Sequence, residues 1–395
     1  MAISERDAVE RFLALREQVR QRGLSPDVEA IADWLPHVGD RRMAAEMAKL
    51  LGFYWLRHGN PRRAVELSDR ALLGRPDDAD AAYNAIFALF QLRRWDDVVA
   101  RARQALAQHP EHFEFCNILS TTLGFLGRTE EARGFGTRSL ELKDATARQA
   151  PCDLSAVPVP PFDAGDPRRN VIAFSLFGGD PRYTDGAVLN ARAARFLYPG
   201  WTCRFYTDDS VPRDVVQVLV DEGAQVMAVG GLPAEPYGTM WRFLVAADPD
   251  VARYVVRDAD SVVNTREKVA VDEWLESDRH FHLMRDHYDH SEVVLAGMWG
   301  GVRGALPPLL PMMRAWVANP RYVLGKTSDQ EFLRECVWPT VRQSVLAHDS
   351  QFGFGETRDF PTVGRLPAGF WVGCDGRRLF GERLAGARLV GRRSA

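Results

Sequence analysis

Small residues and prolines recur at a fixed spacing of 34 in the first 150 residues, and this constrains the fold more than any other feature. Ala71 and Ala105 occupy equivalent places one period apart, as do Pro76 and Pro110. Gly59 and Gly127, and Ala64 and Ala132, keep the same register across two periods. The intervening pattern is helical, so each period predicts two helices packed closely at the small residues and closed by a proline. A helix pair of this size buries its apolar face only against its neighbours, and stacking leaves a concave surface. Before the repeats, helices around 5–22 and 27–36 read as an atypical capping pair. The repeats have two readings: they hold a peptide or protein partner, or they brace the neighbouring domain or form a homodimer.

The pattern then breaks. Pro151, Pro158, Pro160 and Pro161, with Asp153, Asp163 and Gly165 nearby, interrupt regular structure. The expected organisation is a helical repeat domain at 1–150, a proline-rich linker at 151–169 and a second domain at 170–395; two domains suit this length. In the second domain strands alternate with helices. Val171–Leu176 reads as a buried strand, followed by a helix near 186–197, a strand at Thr202–Tyr206, a helix near 211–222 and a strand at Ala224–Val229. A helix around 238–247 precedes a strand at Arg253–Asp258. Alternation of this kind predicts an α/β domain with a mostly parallel, Rossmann-like sheet and ligands at the carboxyl ends of its strands.

Arg257-Asp258-Ala259-Asp260-Ser261 closes the last of these strands. Alternate strand residues point the same way, so Asp258 and Asp260 are placed to share one cation. Two adjacent carboxylates repel unless a positive charge lies between them. Mg²⁺ or Mn²⁺ takes oxygen ligands, and Mn²⁺ also accepts imidazole, which Leu346-Ala347-His348-Asp349 offers downstream. Bulk electrostatics exclude other roles. A formal net charge of -3 argues against a nucleic-acid partner. Only four of the 50 basic residues are lysines, a bias that reflects a GC-rich genome more than a function. The five cysteines show neither CxxC spacing nor a disulfide framework. Residues Met1–Asp7 lack a signal-peptide pattern, and no run reaches the roughly 18 apolar residues that span a bilayer. A cytoplasmic protein without a membrane span is expected.

The repeat region, with Leu51-Gly52, Trp55, Gly59, Ala64, Ala71 and Pro76, fits the tetratricopeptide template. From Val171 to about Arg377 the chain resembles glycosyltransferases of the GT-A fold. It is similar more narrowly to bacterial tetratricopeptide-repeat glycosyltransferases, through Arg257–Ser261, Arg266-Glu267, Val271–Trp274, His282–His287 and Gly297–Gly300. The resemblance implies transfer of a sugar from a nucleoside-diphosphate sugar, a UDP-sugar by default, to a protein, peptide or glycan acceptor. It implies Asp258, Asp260 and His348 as ligands of Mn²⁺ or Mg²⁺. It also implies a donor lining that includes Phe177, Gly178, Tyr183, Arg242, Arg257, Ala259, His287 and Gln330.

Several of these residues carry a second reading. Asp329 either caps a helix at Glu331–Val337 or borders the acceptor; with Asp286 it is a candidate base for an inverting transfer. Arg242 either forms an ordinary ion pair or faces the donor. The segment His280–His290 is read as a polar pocket wall, a solvated loop or, less readily, a zinc site. Gly297–Gly301 reads as a loop that lets a ligand approach, with Trp299 stacking on a sugar face. Trp274 reads as core. Two other functions stand beside sugar transfer: a sugar nucleotidyltransferase, of whose glycine-rich signature Phe177–Arg182 is a partial echo, and an inactive repeat scaffold.

Overall fold

In the computed structural model, residues 3–147, 152–319 and 327–376 are described. Pro151 of the linker, Lys326, Arg377 and the rest of the expected second domain beyond it lie outside the described residues. The chain divides into two compact units between Leu142 and Lys143, inside the helix Thr129–Ala145.

The first unit is a helical repeat. Glu5–Arg22 and the short turns Pro26–Ala30, Ile31–Trp34 and Leu35–His37 come first, then the hairpins Arg41–Arg57/Pro61–Gly74, Ala79–Gln91/Trp95–Gln108 and Phe113–Phe125/Thr129–Ala145. The second helix of each hairpin begins at 61, 95 and 129, which is the 34-residue period of the sequence in three dimensions. Buried alanines sit where helices cross, among them Ala64, Ala71, Ala102, Ala105 and Ala132. Side-chain caps mark helix starts: Asp40 accepts from the Met43 amide at 2.7 Å and Asp78 from the Ala81 amide at 3.0 Å.

The turn inside each hairpin needs a left-handed residue. Gly59 (φ 75°) and Gly127 (φ 72°) supply it, and between them, in the same register, stands Arg93 at φ 57°. Arg93 is the one non-glycine residue with positive φ among the described residues. A side chain there is strained by about 1 kcal/mol. Gly127→Ala is therefore expected to destabilise the protein by about 1 kcal/mol, whereas Arg93→Gly should leave stability unchanged or raise it by up to about 1 kcal/mol. Chemical denaturation of the two variants checks this.

Residues 152–166 carry no helix or strand. The second unit is built on an eight-stranded sheet: β1 Asn170–Leu176, β2 Thr202–Thr207, β3 Gln225–Ala228, β4 Arg253–Arg257, β5 Phe281–Arg285, β6 Met298–Val302, β7 Val345–Asp349 and β8 Thr357–Arg358, in the order β3-β2-β1-β4-β6-β5-β7-β8. Only β6 runs against the others. β1, β4, β5 and β6 are buried along their whole length, so helices and loops cover both faces. The helix expected near 186–197 is longer, Pro181–Leu197, because Asp180 caps it and Pro181 suits its first position. The helical stretch at 238–247 is a 3₁₀ helix, Gly238–Ala247.

Two segments differ from their sequence reading. His280–His290 does not form a solvated loop: residues 281–285 are the buried strand β5. Gly297–Gly301 is not a ligand-facing loop either, because Met298–Val302 is the buried strand β6. Its glycines serve sheet packing, since a Cβ on Gly301 would come within 2.5 Å of the Tyr254 hydroxyl.

A candidate carboxylate–arginine site at the strand ends

β2 and β3 lie on one side of β1, and β4 lies on the other. The chain therefore reverses direction across the sheet at β1/β4, and a crevice opens there at the carboxyl ends of the strands. Two segments enter it: 177–183 after β1 and 258–260 after β4.

Asp258 and Asp260 are both neutralised by arginine, but by different ones. Arg242, on the 3₁₀ helix, pairs through Nη1 with Asp258 and through Nη2 with Asp329 at 2.9 Å. Its backbone amide donates to Ser175 Oγ of β1 at 3.0 Å. One residue thus ties β1, the end of β4 and the Ser328–Phe332 helix together. Asp260 Oδ2 accepts from Arg182 Nε at 2.7 Å, and Arg182 Nη2 lies 3.3 Å from Asp375. Burial, the neighbouring Asp258 charge and Asp375 push the Asp260 carboxyl above the usual range, against the pull of Arg182. Burial pushes Asp329 up to about 6, with Asp258 acting in the same direction and Arg242 opposing. Asp329 is not the N-cap residue expected before Glu331–Val337: it lies inside the Ser328–Phe332 helix, where its Oδ1 accepts from the Gln330 amide at 2.9 Å and its Oδ2 is committed to Arg242.

The loop carrying the pair is fixed from behind. Asn190 Nδ2 donates to the carbonyls of Ala259 (3.2 Å) and Ser261 (3.0 Å), while its Oδ1 accepts from the Val263 amide at 2.9 Å. Ala259 is buried, and its backbone lies against Gly186, where a Cβ would overlap the Ala259 carbonyl and sit 3.1 Å from Asp260 Cα. A Cβ on Gly297 would overlap the Asp258 carboxylate. Gln330 holds the approach to Gly297, donating to the Val294 carbonyl at 2.9 Å and accepting from the Ala296 amide. The last described segment is laced to the same loop: Ser261 Oγ donates to the Gly373 carbonyl at 2.8 Å, and the Gly376 amide donates to the Asp260 carbonyl at 2.7 Å.

On the β1 side, Phe177 packs edge-on against Trp241 at 5.6 Å. The Gly178 amide donates to Ser210 Oγ at 2.7 Å. Tyr183 is partly exposed, with the Arg182 guanidinium 5.4 Å from its ring centre.

Other expected site residues lie elsewhere. His348 is fully buried, with Nδ1 2.9 Å from His282 Nε2 and Nε2 3.1 Å from Glu273, so both ring nitrogens are engaged away from the aspartates. Among the described residues no group of three or more His, Cys, Asp or Glu side chains is arranged to hold a metal ion, and the four histidines of 280–290 form no zinc site. Asp286 accepts from Arg266 Nη2 (2.8 Å) and Ser350 Oγ (2.7 Å) on one oxygen, and from Arg266 Nε (2.9 Å) and the Val372 amide (3.0 Å) on the other. That saturates a carboxylate, and Asp286 is an anchor, not a base. Arg257 is buried on Glu267 (3.1 Å) and the Val256 and Trp299 carbonyls. Trp299 is buried against Tyr254 and Phe243, with no face for a sugar. His287 stacks on Trp371 at 3.8 Å. Trp274 is core, as its pattern indicates.

Asn190, Gly186 and Asp375 escaped the sequence reading, and Arg182 entered it only as the end of the Phe177–Arg182 echo, without its tie to Asp260. The available signal for Arg182 was its place, the second residue of the helix that follows β1.

No known family profile matches the chain, and no curated protein is similar to it at a significant level. Among solved structures, it is similar to MamA with 19% identity over 35% of this chain and 79% of that one, at a TM-score of 0.32. A MamA fragment from Desulfovibrio magneticus RS-1 gives 16% over 34% of this chain and 76% of that one, at 0.31. A mutant O-GlcNAc transferase of Thermobaculum terrenum gives 18% over 65% of this chain, at 0.41; this chain spans 47% of its length. Likenesses this distant carry no argument about the site. The class of protein is defined by the molecule itself: a 34-residue helical repeat, and a mixed α/β sheet with paired aspartates at its switch point.

Two outcomes are expected. Gly297→Ala should displace the Asp258 carboxylate while destabilising the fold by only about 1 kcal/mol, whereas Gly186→Ala, which meets backbone, should cost about 1–3 kcal/mol. Urea denaturation of both variants separates them. For the buried histidines, desolvation holds His282 well below its ordinary value and lowers His348, the latter against the pull of Glu273. The unfolded chain takes up these protons below about pH 6.5 while the native state does not, so stability falls as pH drops through that window. His282→Phe should flatten this acid limb by up to about 1.4 kcal/mol per pH unit, read from denaturation curves between pH 7 and 5.

Proposed function

We propose that this protein is a metal-dependent glycosyltransferase of the GT-A type, using a nucleoside-diphosphate sugar, with a UDP-sugar favoured. The observation that carries this is the pair Asp258 and Asp260 at the carboxyl end of β4, beside the β1/β4 switch point, where an α/β sheet binds ligands. The donor set fits a hard cation: both groups are carboxylates, the Asp258 side chain is 41% exposed, and Gly297 leaves the space that Asp258 fills. Asp258 and Asp260 would hold Mn²⁺ or Mg²⁺. Such an ion, when bound, neutralises charge on a departing diphosphate.

The chain's own residues supply the rest. Arg242 fixes the rotamer of Asp258 and the orientation of Asp329, and Asn190 fixes the loop between the aspartates. Asp329 is the remaining candidate for contact with the acceptor, because Asp286 has no free oxygen lone pair to offer. The 177–183 segment would border the nucleotide. The acceptor is a protein, peptide or glycan, and the helical repeats would hold it or a partner, a second copy of the chain included. Among the described residues no helix is long and apolar enough to cross a membrane.

The test is a thermal-shift screen of UDP-, GDP- and TDP-sugars with MnCl₂, followed by donor hydrolysis. One donor class should raise the melting temperature only with metal, and Asp258→Asn and Asp260→Asn should each lower hydrolysis by at least about 100-fold. No shift with any donor, or full hydrolysis by Asp260→Asn, sinks the proposal.

A further inference from the structure

Arg182 has no role in the scheme above, yet it is bonded to a carboxylate on which that scheme depends. Its Nε and Nη2 both lie 2.7 Å from Asp260 Oδ2, and Nη2 reaches Asp375 at 3.3 Å. Asp260 is largely buried, whereas the Arg182 side chain is 36% exposed. The carboxylate is therefore fixed, and its partner is able to swing. Arg242 contrasts with it: its side chain is 6% exposed, and it is held by Asp258 and Asp329 together.

A cation that takes Asp260 Oδ2 must first break its bonds to Arg182. A divalent ion between the aspartates would also repel the guanidinium, which then keeps only the single Asp375 contact through Nη2 and is left with its remaining donors open to a further anion near the first turn of the Pro181–Leu197 helix. A diphosphate held by that cation is such an anion, and a planar guanidinium fork matches two phosphate oxygens. We propose that Arg182 is an exchangeable gate on the donor site, leaving Asp260 for the donor's diphosphate as the cation binds. Arg182 thereby disfavours the bare cation and favours the cation–diphosphate pair, which couples the two ligands. This rests on the donor-site reading above.

The coupling predicts opposite signs for one substitution. Isothermal titration of the full-length chain with MnCl₂ alone, and with UDP, GDP or TDP at saturating MnCl₂, is run on wild type, Arg182→Ala and Arg182→Lys. Arg182→Ala is expected to bind Mn²⁺ alone several-fold more tightly and the nucleoside diphosphate about 10-fold more weakly. Arg182→Lys keeps the charge without the fork, so it should match wild type for Mn²⁺ alone and weaken the diphosphate by less than the alanine variant. A purely structural role would move both ligands the same way, and that outcome, or no change in either, overturns the gate while leaving the donor site standing. If wild type binds neither Mn²⁺ nor any of the nucleotides, the donor-site reading itself fails and the gate falls with it. An Arg182→Ala variant that does not fold leaves the decision to Arg182→Lys, whose retained diphosphate affinity at full wild-type strength would equally contradict the role of the fork.

Discussion

The buried guanidinium of Arg242 is the contact on which the rest of the site depends. It joins Asp258 from the end of β4 to Asp329 from the Ser328–Phe332 helix, and its own backbone is bonded to β1. The two buried charges, Arg242 and Asp329, are not stable there alone. A buried arginine without carboxylates bears an uncompensated desolvation penalty, and two carboxylates without the arginine repel each other. Burial pushing Asp329 up to about 6 shows the same tension, even with Arg242 opposing it. The triad is a case where polar groups specify one arrangement, because any shift of the three elements leaves a charge unpaired.

Around that contact the fold contributes position. The β1/β4 reversal creates the crevice, Asn190 pins three backbone groups of the loop that enters it, and Gly186 lets the neighbouring helix approach the Ala259 carbonyl. The last described segment closes on the same loop through Gly373 and Gly376. The two aspartates are thereby set differently. The Asp258 side chain is 41% exposed and oriented by a buried arginine, while that of Asp260 is 13% exposed and paired with a more open one at 36%. Such asymmetry allows one carboxylate to stay in place while the partner of the other moves.

Much of this was legible in the sequence, because it rests on periodicity. The 34-residue spacing of Ala71 and Ala105 reappears in the helix starts at 61, 95 and 129. The alternation of strands and helices after 170 led to a sheet in which only one strand is reversed. What failed was any reading that took polarity or glycine as a sign of exposure. His282 and His348 look like loop or ligand histidines, but each lies in a strand and the two rings are bonded to one another across β5 and β7. Gly300 and Gly301 look like a ligand loop, yet they let β6 pass against Tyr254 and Val255. Trp299 follows them into the core. Asp286 and Asp329 look alike as isolated acids; only the three-dimensional contacts show that one is saturated by four donors and the other held by one arginine and one amide. The tie between Arg182 and Asp260 was silent for the same reason, since a pairing across 78 residues has no local signature.

The central claim is that Asp258 and Asp260 take a divalent cation together with a diphosphate. Electron paramagnetic resonance of Mn²⁺ titrated with the full-length protein, with and without UDP, tests it most directly. The free six-line Mn²⁺ signal is expected to fade at one ion per chain, more completely when UDP is present, and to persist with Asp260→Asn. A wild-type protein that leaves the signal unchanged in the presence of UDP, or an Asp260→Asn variant that removes it as well as wild type does, would contradict the claim.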